Sequence, residues 1–474
     1  MKATRFLTPV LLVSGGSAQA QPPPPGFPVP LNSTLSTTTG GAHNVRIDTG
    51  TYGPPVEEYH YFYDQWPIGL AVSRRGRVFT CYTRGDYAYT LGEVVNLTAE
   101  AAYPSQELNT PPDGLVLQGS GVAGVPFGSA DSTHFISVQA LYVTPDDTLW
   151  VLDTGRPTVN ASTSSPAMPY AAPGGPKLVA VNLTTDTITK TYTFPADVHY
   201  PDSYMNDLRF DLRANATETG KGVAYIVDSS DEGRNGFIVL DLGTGESWRQ
   251  LDRHPSTLRV AEAVPAYQGL PFYLRRRGRA VDFQQEGLDG AELSLYGDVS
   301  FAFASLVLVP KEIWPAFLEK VKQLIGELSQ VMYYSPLTSN YLYSIETKYL
   351  RANPSRDPRA VKAAFDNVKD LGQRGGNANG FAGDSLGNVY MLMPEHNAVF
   401  IYNSTLGQTV PFVRDPRIIW PDSANAGWDG YLYLTINQLP YQPNWNDGVD
   451  GRAHPGLILR ARMPDGAAKS TVLA

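Results

Sequence analysis

Between residues 136 and 256 the apolar positions come in short runs broken by turn residues, not at helical spacing. Ile136-Ser137-Val138-Gln139-Ala140-Leu141-Tyr142-Val143 stops at Pro145-Asp146-Asp147 and resumes as Leu149-Trp150-Val151-Leu152-Asp153-Thr154-Gly155. Tyr204-Met205-Asn206-Asp207-Leu208-Arg209-Phe210 and Val223-Ala224-Tyr225-Ile226-Val227-Asp228 repeat the pattern. Runs rich in Val, Tyr and Trp and bounded by Pro, Asp and Gly predict antiparallel strands. Comparable units begin at Trp66, Leu288, Gly380 and Ile418, which makes six. One small sheet cannot bury both of its faces alone, so repetition on this scale predicts radial blades. The expected fold is an all-β, six-bladed β-propeller.

The fourth unit is interrupted. Val299 to Gln330 holds the one long helical pattern, with Trp314, Phe317, Leu318, Val321, Leu324, Ile325 and Leu328 at spacings of three and four. Removing 299–330 joins Leu295-Tyr296-Gly297-Asp298 to Val331-Met332-Tyr333-Tyr334 and restores the turn-then-strand pattern. The segment opens with Val-Ser, which GTG AGT can encode, and closes with Gln, which CAG can encode. It therefore reads either as a helical insertion or as a retained intron.

The first 20 residues form a leader pattern: Lys2 and Arg5, an apolar stretch from Phe6 to Val13, then Ala18-Gln19-Ala20. That apolar stretch is too short to span a bilayer, and no later segment reaches the required length. The expected organisation is a signal peptide at 1–20, a Pro/Ser/Thr-rich arm at 21–57 and a propeller at 58–474. Secretion through the secretory pathway follows as an expectation. It is supported by six Asn-X-Ser/Thr glycosylation acceptors at Asn32, Asn96, Asn160, Asn182, Asn215 and Asn403.

Composition sharpens this picture. With 44 Gly and 38 Pro, the 474-residue chain has the make-up of many short strands joined by tight turns. A net charge of −9 would repel a phosphate backbone, so no nucleic-acid partner is expected. Cys81 is the single cysteine, which forbids an intrachain disulfide; its strand context predicts a buried thiol.

Several segments resemble the yellow / major royal jelly protein family: Ser137-Val138-Gln139-Ala140-Leu141, the Leu149 to Pro157 run, Gly174-Gly175-Pro176-Lys177-Leu178, Asn206 to Asp211, Tyr225 to Ser230, Asn235-Gly236 and Ser247-Trp248-Arg249. The resemblance runs from about residue 60 to 440 in family order, and departs at the 299–330 insertion and in the single cysteine. It implies a secreted six-bladed propeller whose funnel binds small molecules. It implies no single reaction, because relatives include pigment-pathway proteins, nutritive proteins and amine binders. Fungal members also serve secondary metabolism, including hetero-Diels–Alder cyclases of tropolone–terpenoid pathways.

Local motifs offer little conventional chemistry. Asp153-Thr154-Gly155 and Asp228-Ser229-Ser230 imitate aspartic-protease half-sites, but both sit in the same repeat pattern and Arg156-Pro157 follows the first. Gly119-Ser120-Gly121-Val122-Ala123-Gly124 has dinucleotide spacing, yet Val125-Pro126-Phe127-Gly128 cannot open the helix that would hold a pyrophosphate. Arg275-Arg276-Arg277-Gly278-Arg279 reads as a solvated basic loop. No zinc-protease or serine-hydrolase motif occurs.

The expected site is the central funnel. Trp66, Tyr82, Tyr142, Tyr204, Trp420 and Trp428 are candidate walls for a flat aromatic or quinonoid ligand, with Asn206 a polar contact. Asn206, Asp207 and Asp289 offer oxygen ligands that suit Ca²⁺ or Mg²⁺, at positions similar to those that carry the metal in lactonase-type propellers. The alternative is that these groups satisfy backbone at blade turns. No catalytic residue and no required cofactor follow from the sequence, and the oligomeric state is open. Three functions are expected in order: templated cyclisation or isomerisation, for instance a hetero-Diels–Alder addition; non-catalytic binding of amines or phenolics; and metal-dependent lactonase-type hydrolysis.

Overall fold

The strand runs fold as their pattern dictates, into six antiparallel four-stranded sheets whose innermost strands line one axis. The computed structural model describes residues 35–37, 44–46, 48–82, 87–111, 131–157, 159–162, 165–167, 170–171, 174–271, 273–276, 279–283, 287–294, 330–404, 406–443, 445–446 and 449–467. Two compact units are present, Met1–Thr49 and Gly50–Ala474. In the first, Leu35–Thr37 pairs with Asn44–Arg46 as a short hairpin. The second is the propeller.

Inside to outside, blade 1 is Gly69–Val72, Val78–Cys81, Leu91–Asn96 and Ala99–Ala102; blade 2 is Val138–Val143, Thr148–Asp153, Lys177–Asn182 and Thr187–Thr193. Blade 3 is Met205–Asp211, Val223–Asp228, Gly236–Asp241 and Ser247–Gln250; blade 4 is Leu288–Ser294, Val331–Pro336, Tyr341–Glu346 and Lys369–Gln373. Blade 5 is Phe381–Gly383, Asn388–Met393, Ala398–Asn403 and Gln408–Arg414. Blade 6 takes three strands, Pro421–Ala426, Tyr431–Ile436 and Gly456–Arg462, and its outer strand, Val56–Phe62, comes from the other end of the chain. Each innermost strand packs against the next, and blade 6 returns to blade 1. The ring is closed, and the expected count of six blades holds.

Closure works because alternate faces of every sheet are apolar and the blades bury them against one another. Between blades 2 and 3, Tyr142, Trp150, Phe210, Ile226 and Leu240 form one cluster, with the Trp150 and Phe210 rings 4.8 Å apart. The inner strands approach closely enough to require small residues. A Cβ at Gly290 would come within 2.2 Å of the Phe381 ring, so any larger residue would push blades 4 and 5 apart.

Aspartates ending the second strands fix where the inner strands start. Asp153 is fully buried; it accepts the N–H groups of Ile136 (2.6 Å) and Ser137 (2.9 Å) and pairs with Lys177 at 3.0 Å. Asp228 does the same in blade 3, accepting Tyr204 N–H at 2.9 Å and the Ser203 hydroxyl at 2.5 Å, and pairing with Arg249 at 2.8 Å. The two protease-like motifs are therefore repeated structural clamps, each in its own blade.

Ser294 pairs directly with Val331 at the end of the ladder between the first two strands of blade 4. The helical pattern of 299–330, apart from Gln330, lies outside the described residues, as does the Gly119–Gly124 loop. The basic run is not a plain loop: Tyr273–Arg276 pairs with Arg279–Phe283 as a two-stranded hairpin. Two short helices unforeseen in the sequence, Thr347–Arg351 and Arg359–Asp366, connect the third and fourth strands of blade 4. No helix among the described residues is long and apolar enough to cross a membrane. Cys81 is fully buried, with its thiol 3.2 Å from the Gln139 carbonyl and its pKa raised, chiefly by burial.

Candidate functional site

The second residue of the inner strand is polar in four blades: Gln139, Asn206, Asp289 and Asp422. Side chains alternate along a strand, so equal register aims all four at the axis. Three of them, Gln139, Asn206 and Asp289, form a hydrogen-bonded string with Tyr204 across blades 2, 3 and 4. The Tyr204 hydroxyl donates to Gln139 Oε1 at 2.5 Å, Gln139 Nε2 donates to Asn206 Oδ1 at 2.8 Å, and Asn206 Nδ2 donates to Asp289 Oδ1. On the far side, Asn379 Nδ2 donates to Asp422 Oδ1 at 2.8 Å. This is the mouth of the channel, where every inner strand begins.

Both acids at the mouth hold their protons unusually tightly. Burial raises the Asp289 pKa well above the usual carboxylate range, and the negative charges of Asp422 and Asp207 raise it further against the pull of Arg374. Burial pushes Asp422 up to about 6, against hydrogen bonds from Asn379, Asn437 and Trp420. Arg374 sits nearby, 2% exposed, but its guanidinium donates to the carbonyls of Tyr341, Pro336 and Ser339.

One layer deeper, Arg209 holds two acids. Its Nε donates to Glu292 Oε2 and its Nη1 to Asp207 Oδ1, both at 2.6 Å, while Nη2 reaches the Phe381 carbonyl in blade 5. Burial alone would lower the guanidinium's pKa, but the charges of Asp207 and Glu292 more than offset that. Burial leaves both of those acids raised despite Arg209. Among the described residues, Arg209 is the only guanidinium that hydrogen-bonds any of the four acids Asp207, Asp289, Glu292 and Asp422.

The expected aromatic funnel assembles only in part. Tyr204 and Asn206 line the mouth, and Trp420, 1% exposed against Leu337, backs Asp422. Trp66 instead stacks on His454, with ring centres 4.7 Å apart, and lies under Arg452. Tyr82 is fully buried among Phe62, Tyr87 and Tyr89, and Tyr142 belongs to the core between blades 2 and 3. Trp428 lies beneath Arg74 in the turn between the first two strands of blade 6, at the end opposite the mouth. Aromatic composition does not distinguish walls from core, since large rings fill inter-blade space more often than they line a channel.

Of the expected metal ligands, Asn206, Asp207 and Asp289 do come together. Asn206 Oδ1, the atom a hard cation would need, already accepts from Gln139, and Asp207 is turned into the Arg209 pair. As arranged, the trio does not fit a divalent ion. Gln139, Asp422, Asn379, Glu292 and Arg209 were missed as site residues. Aligning the inner strands by their second residue would have found Gln139 and Asp422.

The major royal jelly protein family model matches residues 136–260 and 321–442, more than half of the chain. The chain belongs to the major royal jelly protein family. The family match breaks across the interrupted blade 4. Protein yellow of Drosophila erecta and of Drosophila yakuba are each 22% identical over 306 residues, covering 62% of this chain and 45% of theirs. This royal jelly family chain thus spans about half the length of the curated relatives it matches. Among solved structures it is similar to a luciferin-regenerating enzyme (10% identity, 89% of this chain and 99% of that one, TM-score 0.45). It is also similar to a streptogramin B lyase (10%, 87% and 98%, 0.42) and to a gluconolactonase of Xanthomonas campestris (9%, 87% and 97%, 0.40).

Proposed function

We propose that this protein is a secreted binder of small organic amines, held at the channel mouth by Asp289 and Asp422. The observation that carries the reading is a pair of buried carboxyls at the channel mouth with carboxamide partners and, among the described residues, no hydrogen-bonded cation. An ammonium group beside these carboxyls favours their ionised form and donates hydrogen bonds that the carboxylates accept. Tyr204 offers ring surface for the rest of a small aromatic amine. The leader pattern and the family membership support an extracellular setting.

The test is calorimetric titration of the secreted protein with tyramine and with 4-ethylphenol, which lacks the amine. Saturable tyramine binding, at least tenfold tighter than 4-ethylphenol and lost in Asp289→Asn with Asp422→Asn, is expected. Equal affinity for the two probes, or no binding of either, overturns the proposal.

A second reading rests on the raised pKa of Asp289. A carboxyl that keeps its proton can donate a hydrogen bond to a substrate carbonyl, and with a shaped channel this would assist templated cyclisation or isomerisation without a redox cofactor. Product formation from a tethered heterodiene and dienophile, abolished by Asp289→Asn, would favour it over simple binding. Lactonase-type hydrolysis through a divalent ion comes third, because Asn206 Oδ1 is already engaged.

A further inference from the structure

We propose that Asn96, Asn182 and Asn403 carry N-linked glycans, grouped on the end of the propeller opposite the channel mouth. The inference rests on entry into the secretory route, which the leader pattern predicts, and is independent of what the channel binds. Each of the three is followed two residues later by a threonine: Thr98, Thr184 and Thr405. Scattered sequons would fall anywhere on a propeller. These three fall at one topological position, the last residue of the third strand, in blades 1, 2 and 5.

That position fixes the face. In a four-stranded antiparallel blade the turns between strands one and two and between strands three and four share one end, and the inner strands start at the other. Contacts across blades agree: Leu183, just after Asn182, donates its N–H to Asp147 in the first turn of blade 2, and Arg77 in the first turn of blade 1 donates to the Leu183 carbonyl and to Asp186. Asn215, also a sequon, is exposed in the first turn of blade 3 at this same end. Asn160 follows the second strand of blade 2, towards the mouth, and its side chain, like Asn32, lies outside the described residues.

At all three the asparagine oxygen accepts a backbone N–H just downstream, two residues on at Asn96 and Asn182 and three at Asn403. Asn96 Oδ1 accepts Thr98 N–H at 3.0 Å, Asn182 Oδ1 accepts Thr184 N–H at 2.8 Å, and Asn403 Oδ1 accepts Leu406 N–H at 3.0 Å. Such turns span only a few residues and can form before the blade does. They hold the amide oxygen against the backbone. In the transfer, Nδ2 attacks the anomeric carbon of a lipid-pyrophosphate-linked oligosaccharide. The carbon–oxygen bond to pyrophosphate breaks, the pyrophosphate leaves with the electron pair, and the amide gives one proton to the transferase base.

The experiment is secretion of the full chain from a eukaryotic host, glycosidase release in ¹⁸O-water and peptide mass mapping. Conversion to ¹⁸O-labelled aspartate at all three positions is expected. Thr98→Ala, Thr184→Ala and Thr405→Ala should each abolish label at the matching asparagine only, while leaving that asparagine in place. Secreted protein unlabelled at these positions, label confined to Asn32 or Asn160, or a chain that never enters the secretory route overturns the proposal.

Discussion

Asn206 in blade 3 donates its side-chain N–H across the blade boundary to Asp289 in blade 4. Asp289 is 3% exposed, so this carboxamide is what lets a carboxyl persist inside the channel. Asn206→Ala should cost about 1–3 kcal/mol, the penalty for a buried acceptor left unsatisfied. Asn206→Asp should cost more at pH 7 than at pH 5, because the new carboxyl itself ionises among buried acids. Urea unfolding at the two pH values checks both, and a pH-independent loss in Asn206→Asp would contradict the assignment.

The pH response of Asp422 has a definite sign. Its folded pKa is about 6, above the roughly 3.9 of an unfolded chain, so the protonated form is favoured by folding. Its contribution is fully present below pH ~4 and is lost as pH rises through about 6. Asp422→Asn keeps an acceptor for Asn379 and cannot ionise. Its melting temperature should match the parent's near pH 4 and exceed it above pH 6. Tyramine affinity should fall as pH drops below 6, where the Asp422 carboxyl takes up its proton.

Arg209 is the charge on which two buried acids depend. Arg209→Met strands Asp207 and Glu292 and should destabilise the protein by about 3–5 kcal/mol. Adding Glu292→Gln should recover part of that loss, a rescue that lost packing alone would not show. Denaturant midpoints of the two variants decide it.

The Ser294–Val331 pair ends the ladder between the first two strands of blade 4. Deleting 299–330 should leave the melting temperature within a few degrees of the parent and tyramine binding intact. Sequencing transcripts across this junction distinguishes the two origins. Transcripts lacking the 96 nucleotides mark a retained intron; transcripts that all keep them mark a genuine insertion.

The outer strand of blade 6 gives a sharp truncation boundary. Starting the chain at Gly50 should preserve the cooperative melt. Starting it at Tyr63 removes Val56–Phe62, exposes the edge of Gly456–Arg462 and should give aggregation or a broad transition. Light scattering and circular dichroism separate the two cases.

The blades were legible because two-residue periodicity and Pro-Asp or Asp-Gly turns are local signals; the Asp153 and Asp228 clamps could be seen as a repeat before their bonds were known. The closing strand was not legible, since Val56–Phe62 pairs with residues far along the chain and its own pattern shows only another amphipathic strand. In the channel, Asn206 and Asp289 could be placed by strand position. The roles of Trp66, Tyr82 and Tyr142 could not, because a ring beside a strand end looks the same whether it faces ligand or a neighbouring blade.

Blade 6 also sets a clock on synthesis. Its outer strand leaves the ribosome first among the propeller strands and finds its partner, Gly456–Arg462, about 400 residues later. At about 5–20 residues per second, Val56–Phe62 waits roughly 20–80 s with its edge unpaired. During that interval blades 1 to 5 can stack in order, but the nascent ring stays open. A chaperone that recognises an extended, unpaired strand has its window there, and rare codons before Gly456 would lengthen it.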